Sequence, residues 1–339
     1  MAADIREQPS VFERILRQGV PRIAEVAAII RTARPKFVLL AARGSSDHAA
    51  LYAKYLLETR LGLAAGLVSP STATIYDAHP DLHGVLFLAL SQSGSSPDLV
   101  ELVIRARSTG AVKVAITNAP DSPLSQAAQY SLDILAGPEE AVPATKTYTA
   151  ELLTLYLLTG AIAEQNDAEV ELIPEEAKRV LTSEPDVEKI AARYRFAEQI
   201  VVTSRGFNYS TAREAALKLM ETTYLVAHGF SSADLLHGPM AMIHRGFPVI
   251  AIVPQGPAGL SLRPILEHLR TLWADVLIVG DGALCALATV CLPVPISIRE
   301  QLSPILLAIP LQQFTWHLAR QRGIDPDQPR GLRKITETW

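Results

Sequence analysis

Serine, threonine and glutamine crowd three short stretches of this 339-residue chain. The first is Arg43-Gly44-Ser45-Ser46. The second is Ser91-Gln92-Ser93-Gly94-Ser95-Ser96, followed by Pro97. The third is Val142-Pro143-Ala144-Thr145-Lys146-Thr147. The second is the richest in hydroxyls, and Pro97 suits the first turn of a helix. A helix start presents free backbone N–H groups and the positive end of the peptide dipole, so small hydroxyl-bearing residues there fit an anion. Hydroxyls without a Gly-Lys-Ser/Thr motif point to a small phosphorylated metabolite rather than a nucleoside triphosphate. The bland alternative is a solvated cluster of capping serines. Three such loops at equivalent strand ends weigh against it.

A different chemistry gathers later in the chain. Glu214, Lys218 and Glu221 stand at i, i+4 and i+7 and share one face of a helix, with Leu217, Met220 and Tyr224 on another. Spacing alone favours a solvated salt-bridge stripe over acid–base machinery. His237 precedes Gly238-Pro239 in a turn, where it either points into a cleft or bonds to backbone. No His/Cys cluster has metal-ligand spacing, so no metal is expected. Gly44 and Gly94 do not make a Gly-x-Gly-x-x-Gly, so no nicotinamide or other cofactor is expected, and no Gly-x-Ser-x-Gly elbow occurs.

The elements that carry these residues repeat. A constant offset of 162 residues lays Phe37–Gly44 over Gln199–Gly206, Leu86–Gly94 over Pro248–Gly256, and Lys113–Thr117 over Asp275–Val279. Each is a continuous apolar run, the pattern of a parallel strand buried on both faces. Helical stretches alternate with them: Asp47–Leu61, Asp98–Thr109 and Tyr148–Gln165, then Ser210–Ala227, Leu260–Trp273 and Pro304–Arg322. The alternation predicts an α/β chain of two tandem doubly wound parallel-sheet domains born of an internal duplication. Ligands then sit outside the carboxyl ends of the strands, where the serine-rich loops fall. The second half's equivalents, Gly206-Phe207-Asn208-Tyr209 and Pro254-Gln255-Gly256-Pro257, lack the serines, so the duplicate keeps the fold and changes its task. The expected layout is an N-terminal helical segment over 1–34, centred on a helix at Val11–Ile30, and a first domain over 35–166. A helical connector over 167–196, a second domain over 197–322 and a tail over 323–339 complete it.

Composition narrows the classes. Hydrophobic residues make 49% of the chain and charged residues 19%, which excludes disorder as a dominant state. Net charge is −4 with no basic block, so nucleic acid is not an expected partner. The apolar runs Leu152–Ala163 and Gly282–Ile298 are respectively too short to span a bilayer and broken by Pro293 and Pro295. The N-terminus lacks an apolar signal core. Cys285 and Cys291 read as two buried thiols, so a soluble, cytoplasmic protein is expected.

These motifs together resemble the sugar isomerase (SIS) family, and within it the isomerase half of glutamine–fructose-6-phosphate aminotransferases. The resemblance runs nearly end to end. It rests on Glu7-Gln8-Pro9, Gly44-Ser45-Ser46, Leu90-Ser91-Gln92-Ser93-Gly94, Ala144-Thr145-Lys146, Glu214 to Glu221, His237-Gly238-Pro239, and Asp325 to Lys334. It implies sugar-phosphate binding at Gly44, Ser45, Ser46, Ser91, Gln92, Ser93 and Ser96, with Ala144 and Thr145 near the sugar. It implies that Glu221 moves a proton between C1 and C2 with Lys218 beside it. His237 would open the sugar ring from the partner subunit of a homodimer. Lys334 would lie on a tail that closes the site and can form a Schiff base. One base serving two carbons is what aldose–ketose interconversion needs. These matches overturn the bland readings of the Glu221 helix and of His237.

Two positions depart from the family pattern: its Ser-Gly-Glu-Thr is Ser93-Gly94-Ser95-Ser96 here, and its Ala-Ser-Thr-Lys is Pro143-Ala144-Thr145-Lys146. Both bear on substrate identity more than on reaction type. The aminotransferases also carry a glutaminase domain with an N-terminal cysteine ahead of this region, whereas position 2 here is Ala. The expected function is therefore release of ammonia from a hexosamine 6-phosphate, as in SIS-type glucosamine-6-phosphate deaminases. The alternatives are another phosphosugar isomerase, a fructosamine-phosphate deglycase, or a non-catalytic sugar-phosphate sensor.

Overall fold

Strands form where the sequence runs apolar without alternation, and helices form between them. The computed structural model describes residues 1–106 and 111–334. The chain divides into two compact units. One comprises Ser10–Glu139, Lys146–Ala168 and the tail from Arg333; the other comprises Met1–Pro9, Glu140–Thr145 and Glu169–Leu332.

The first unit holds strands β1 (Phe37–Ala41), β2 (Ala65–Leu67), β3 (Val85–Ser91), β4 (Val112–Thr117) and β5 (Tyr130–Asp133). All pair in parallel, in the order β2-β1-β3-β4-β5. Val38 lies beside Leu86, and Leu86 beside Val112. Its core packs Phe87, Ala89 and Ala115 of the sheet against Leu99, Leu102, Val103 and Ala106. Those last four recur at helical spacing along the Pro97–Ala106 helix, so one of its faces is buried while Glu101 and Arg105 turn outward as an ion pair.

The second unit holds β6 (Gln199–Ser204), β7 (Val226–Ser231), β8 (Pro248–Val253), β9 (Asp275–Gly280) and β10 (Val290–Pro293). Its order is β10-β9-β8-β6-β7, again all parallel. Read from the other edge, this is the order of the first sheet. The offset of 162 residues that carries Phe37 onto Gln199 also lays the Ser45–Leu61 helix over the Asn208–Thr223 helix. The duplication read from three apolar runs thus extends to whole sheets. Val249, Ala251, Val276 and Ile278 pack on Leu262, Ile265, Leu266 and Leu269 in its core.

Several expected boundaries move. Each half has five strands rather than three, because β2, β5, β7 and β10 are short or polar and lack an apolar run. The leading helix starts at Ala2, passes through a π-turn at Ile15–Gly19 and resumes over Val20–Ala33. Pro21 has no N–H to give the preceding turn, and the widened turn absorbs that loss. The helix read to Ala227 stops at Thr223, where Tyr224 turns left-handed (φ 59°) and frees Val226 to start β7. The stretch Leu260–Trp273 breaks into Pro257–Leu260 and Arg263–Thr271. The end of the stretch Asp98–Thr109, from residue 107 onward, lies outside the described residues, as do 335–339 of the tail.

Cys285 and Cys291 are half-buried and joined as a disulfide, which corrects the reading of two buried thiols. They close the turn between Gly282–Leu287 and β10, a loop too local for composition to reveal. Among the described residues no helix is long and apolar enough to cross a membrane.

Candidate active site

In each sheet the chain reverses direction at its first strand, so the crevice for a ligand opens between β1 and β3, and between β6 and β8. The first crevice carries the serine loops. Gly44 sits at φ 57°, ψ −131°, a backbone state open to glycine, and starts the Ser45–Leu61 helix. Gly94 (φ 61°) is fixed more tightly still: a Cβ there would lie 2.0 Å from Ser122 Oγ. Ser91 Oγ accepts the Gly94 N–H at 3.1 Å, and Ser93 Oγ accepts the Ser95 N–H at 3.3 Å. The Asn118 N–H at the end of β4 donates to Gln92 O. This network shapes the loop and leaves the Ser96 hydroxyl and the Gln92 amide without a hydrogen bond among the described residues. Ser45 is half-buried at the helix start. Ser46 differs from the other serines: its hydroxyl is buried and donates to Glu151 Oε1 at 2.8 Å, so it faces the interior.

An ion pair ties the two loops together. Arg43 donates from Nε and Nη2 to Asp98 Oδ2, at 2.9 and 2.8 Å, while Asp98 Oδ1 accepts the Leu99 N–H. Sequence reasoning passed over it because its partners stand 55 residues apart.

In the same unit, the Glu139 side chain is fully buried at the start of the Lys146–Ile162 helix. It accepts the Thr147 hydroxyl (2.8 Å), the Thr147 N–H (3.2 Å) and Lys334 Nζ (2.8 Å). The tail lysine thus lands on a carboxylate that the sequence reading did not single out. In the other unit, Thr145 is buried and Ala144 half-buried. Gln312 donates to Thr145 O at 3.1 Å, and Gln8 donates to Gln312 Oε1 at 2.9 Å. The Glu7-Gln8-Pro9 motif therefore acts at a distance, through Gln312, on the backbone of the third loop. The tail is pinned there too. The Met1 ammonium meets Asp327 at 2.7 Å, and Arg330 stacks 4.2 Å from the Tyr224 ring centre.

Glu214, Lys218 and Glu221 lie on the Asn208–Thr223 helix. Lys218 is 1% exposed and Glu214 2%, so this is a buried array rather than a solvated stripe. Lys218 Nζ stands 2.5 Å from Glu221 Oε2 and 3.5 Å from Glu214 Oε1. The Glu221 side chain keeps 21% exposure, which leaves one carboxylate of the array within reach of a ligand. A buried ammonium between two carboxylates satisfies the pairing that burial of charge demands. His237 ends the short Ser232–Leu236 helix, and its ring is exposed with no hydrogen bond among the described residues. Gly238 (φ 119°) makes the turn behind it.

The second crevice is filled by the chain itself. Glu300 Oε2 accepts the Ala258 N–H at 3.1 Å. A Cβ on Gly256 would meet Glu300 Oε2 at 2.4 Å, and one on Gly206 would lie 3.5 Å from Oε1. Gly206 and Gly256 are the duplicates of Gly44 and Gly94. Burial raises the Glu300 carboxyl above its usual range, and the Ala258 N–H opposes part of that rise.

Similarity to known proteins follows the same lines. Of the curated relatives, the glutamine–fructose-6-phosphate aminotransferase [isomerizing] of Methanothermobacter thermautotrophicus is 35% identical across 98% of this chain and 56% of its own length. That of Pyrococcus horikoshii is 32% identical across 98% and 57%. The chain thus spans about half the length of the curated relatives it matches. Among solved structures, a Silicibacter pomeroyi protein proposed to be a phosphosugar isomerase superposes with a TM-score of 0.87 at 34% identity, covering 96% of this chain and 98% of that one. The C-terminal domain of glucosamine-fructose-6-phosphate aminotransferase from Francisella tularensis gives 0.85 at 26%, covering 97% of each. The glucosamine-6-phosphate deaminase of Thermotoga maritima shares the fold, with a TM-score of 0.76 at 22% identity over 99% of each chain. The SIS domain model matches residues 32–161 and 194–319, one match on each sheet, and the chain belongs to the SIS domain family.

Proposed function

We propose that this chain is a hexosamine-6-phosphate deaminase that converts glucosamine 6-phosphate to fructose 6-phosphate and ammonia. The observation that carries the reading is the buried Glu214–Lys218–Glu221 array, with Glu221 its exposed end. His237 opens the sugar ring to the aldehyde, and it is supplied by a second copy of the chain in a homodimer. Glu221 takes the proton from C2 and returns it to C1, which moves the double bond from an enol-amine to the C2 imine. Water adds to that imine, ammonia leaves with a proton, and the C2 ketone remains. Lys218 stabilises the negative charge that develops on the C1 oxygen. The Ser91–Ser96 loop and Ser45 hold the phosphate, so binding energy at the far end of the substrate positions the reacting carbons. Lys334 closes the site.

The test is ammonia and fructose 6-phosphate release from glucosamine 6-phosphate by the purified chain, with Glu221→Gln beside it. Equimolar products that collapse in the variant support the reading and its base together. Binding of the sugar phosphate without release refutes the deaminase assignment for this substrate.

A further inference from the structure

The β1/β3 crevice is rich in hydroxyls and poor in cations. Across residues 42–47 and 91–98, Arg43 is the sole lysine or arginine. A phosphate monoester brings nearly two negative charges, and hydrogen bonds from a charged donor are about twice as strong as neutral ones. Arg43 is held where it meets that need. Asp98 is the second residue of the Pro97–Ala106 helix, directly after Ser96-Pro97, and it is 1% exposed. Arg43 spends two of its donors on one oxygen of that carboxylate. A guanidinium has five N–H donors. The other three have no partner among the described residues, and the side chain is 50% exposed. Asp98 is also a liability at this place, because its carboxylate sits at the helix start beside the loop that would receive an anion.

We propose that Arg43 is a cationic phosphate contact of this site, and that it also screens the phosphate from the buried Asp98 carboxylate. The inference rests on the phosphosugar reading and adds to it a specificity for the dianionic group. A phosphate then competes with Asp98 for the guanidinium. Removing either member of the pair therefore shifts phosphate affinity in opposite directions. A residue that merely staples the two loops would behave otherwise, because either substitution breaks a staple.

The experiment titrates inorganic phosphate into the wild-type chain and into Arg43→Gln, Arg43→Lys and Asp98→Asn by calorimetry, and then repeats the series with glucosamine 6-phosphate. Arg43→Gln is expected to weaken binding at least tenfold, about 1.4 kcal/mol. Arg43→Lys keeps the charge but loses the planar fork and falls between the two. Asp98→Asn tightens binding, because its Oδ1 can still accept the Leu99 N–H while the negative charge is gone. If Arg43→Gln does not fold, the same opposition is read between Arg43→Lys and Asp98→Asn. Arginine and aspartate substitutions that weaken binding alike, or an arginine substitution without effect, overturn this inference alone. A wild-type chain that binds neither ligand overturns the phosphosugar reading, and this inference with it.

Discussion

Replacing Lys218 by Met tests whether the buried array serves the fold, the chemistry or both. The ammonium lies between Glu214 and Glu221 and is almost wholly removed from water. Breaking one member of a buried ion pair costs about 3–5 kcal/mol, because the remaining charge stays desolvated. Glu221, with 21% of its side chain exposed, can recover hydration; Glu214, with 3%, cannot. Most of the cost therefore falls on Glu214, and it is a large share of a total stability of about 5–15 kcal/mol. Removing a group that stabilises a developing oxyanion costs a further factor of about 10²–10³ in turnover. Urea unfolding measures the first effect, and ammonia release from glucosamine 6-phosphate measures the second. A double variant, Lys218→Met with Glu214→Gln, separates them: it regains most of the stability, since no buried carboxylate is left beside the gap, and none of the turnover. A single variant within about 1 kcal/mol of wild type would refute the claim of a costly buried charge. A double variant that regains turnover along with stability would remove Lys218 from the chemistry.

Two further outcomes follow from geometry elsewhere. His317 is buried, and that burial pulls its imidazole below the usual 6.5, reinforced by Arg320 and opposed by Glu188 and Glu184. Its folded state thus favours the neutral ring. The stability it lends is full above about pH 6.5 and is lost as pH falls through the depressed value, because the unfolded chain binds the extra proton first. Urea melts from about pH 5 to about pH 8 should show stability rising with pH more steeply in wild type than in His317→Gln; equal slopes would count against the burial argument. Gly94→Ala must force a Cβ to 2.0 Å from Ser122 Oγ at a φ of 61°, whereas Gly44→Ala meets no atom within 4 Å and bears backbone strain alone. A strained backbone costs about 1–3 kcal/mol, so both variants should lose stability and Gly94→Ala should lose more. The KM for the sugar phosphate should rise with it, and equal losses in the two variants would show that Ser122 yields freely.

The central strands and the duplication were legible because a strand buried on both faces must be apolar at every position. Phe37–Ala41 and Pro248–Val253 read this way without any partner in view. The edge strands were not legible, since Ala65–Leu67 is three residues long and Val226–Ser231 carries His228, Gly229 and Ser231. The spacing of Glu214, Lys218 and Glu221 revealed that they share a face. It did not reveal that the face is buried, which depends on what packs over the helix. Residues that act through distant partners left no local signal. Glu139 reaches Lys334 across 195 positions, and Gln8 reaches Gln312 across 304. The half-buried disulfide was lost for a different reason, because cysteine count and compartment are arguments about averages, whereas Cys285 and Cys291 are joined by the turn between them.

The two crevices of the duplicated fold differ in what lines them. Both keep the glycines that let backbone approach an anion, Gly44 and Gly94 in the first, Gly206 and Gly256 in the second. In the first, hydroxyls surround the opening. In the second, the serines are gone and Glu300 places its own carboxylate against Gly206, Gly256 and the Ala258 N–H. An intramolecular carboxylate needs no association entropy to occupy such a cradle, so it outcompetes a dilute free anion of similar contact strength. Burial opposes its charge, which is the direction in which its carboxyl is shifted. The helix beside it, Asn208–Thr223, sits where Ser45–Leu61 sits in the first half, and it carries the buried Glu214–Lys218–Glu221 ion pairs. On the proposed reading, the two halves differ by Glu300 in the second crevice and by the Glu214–Lys218–Glu221 array on the helix next to it.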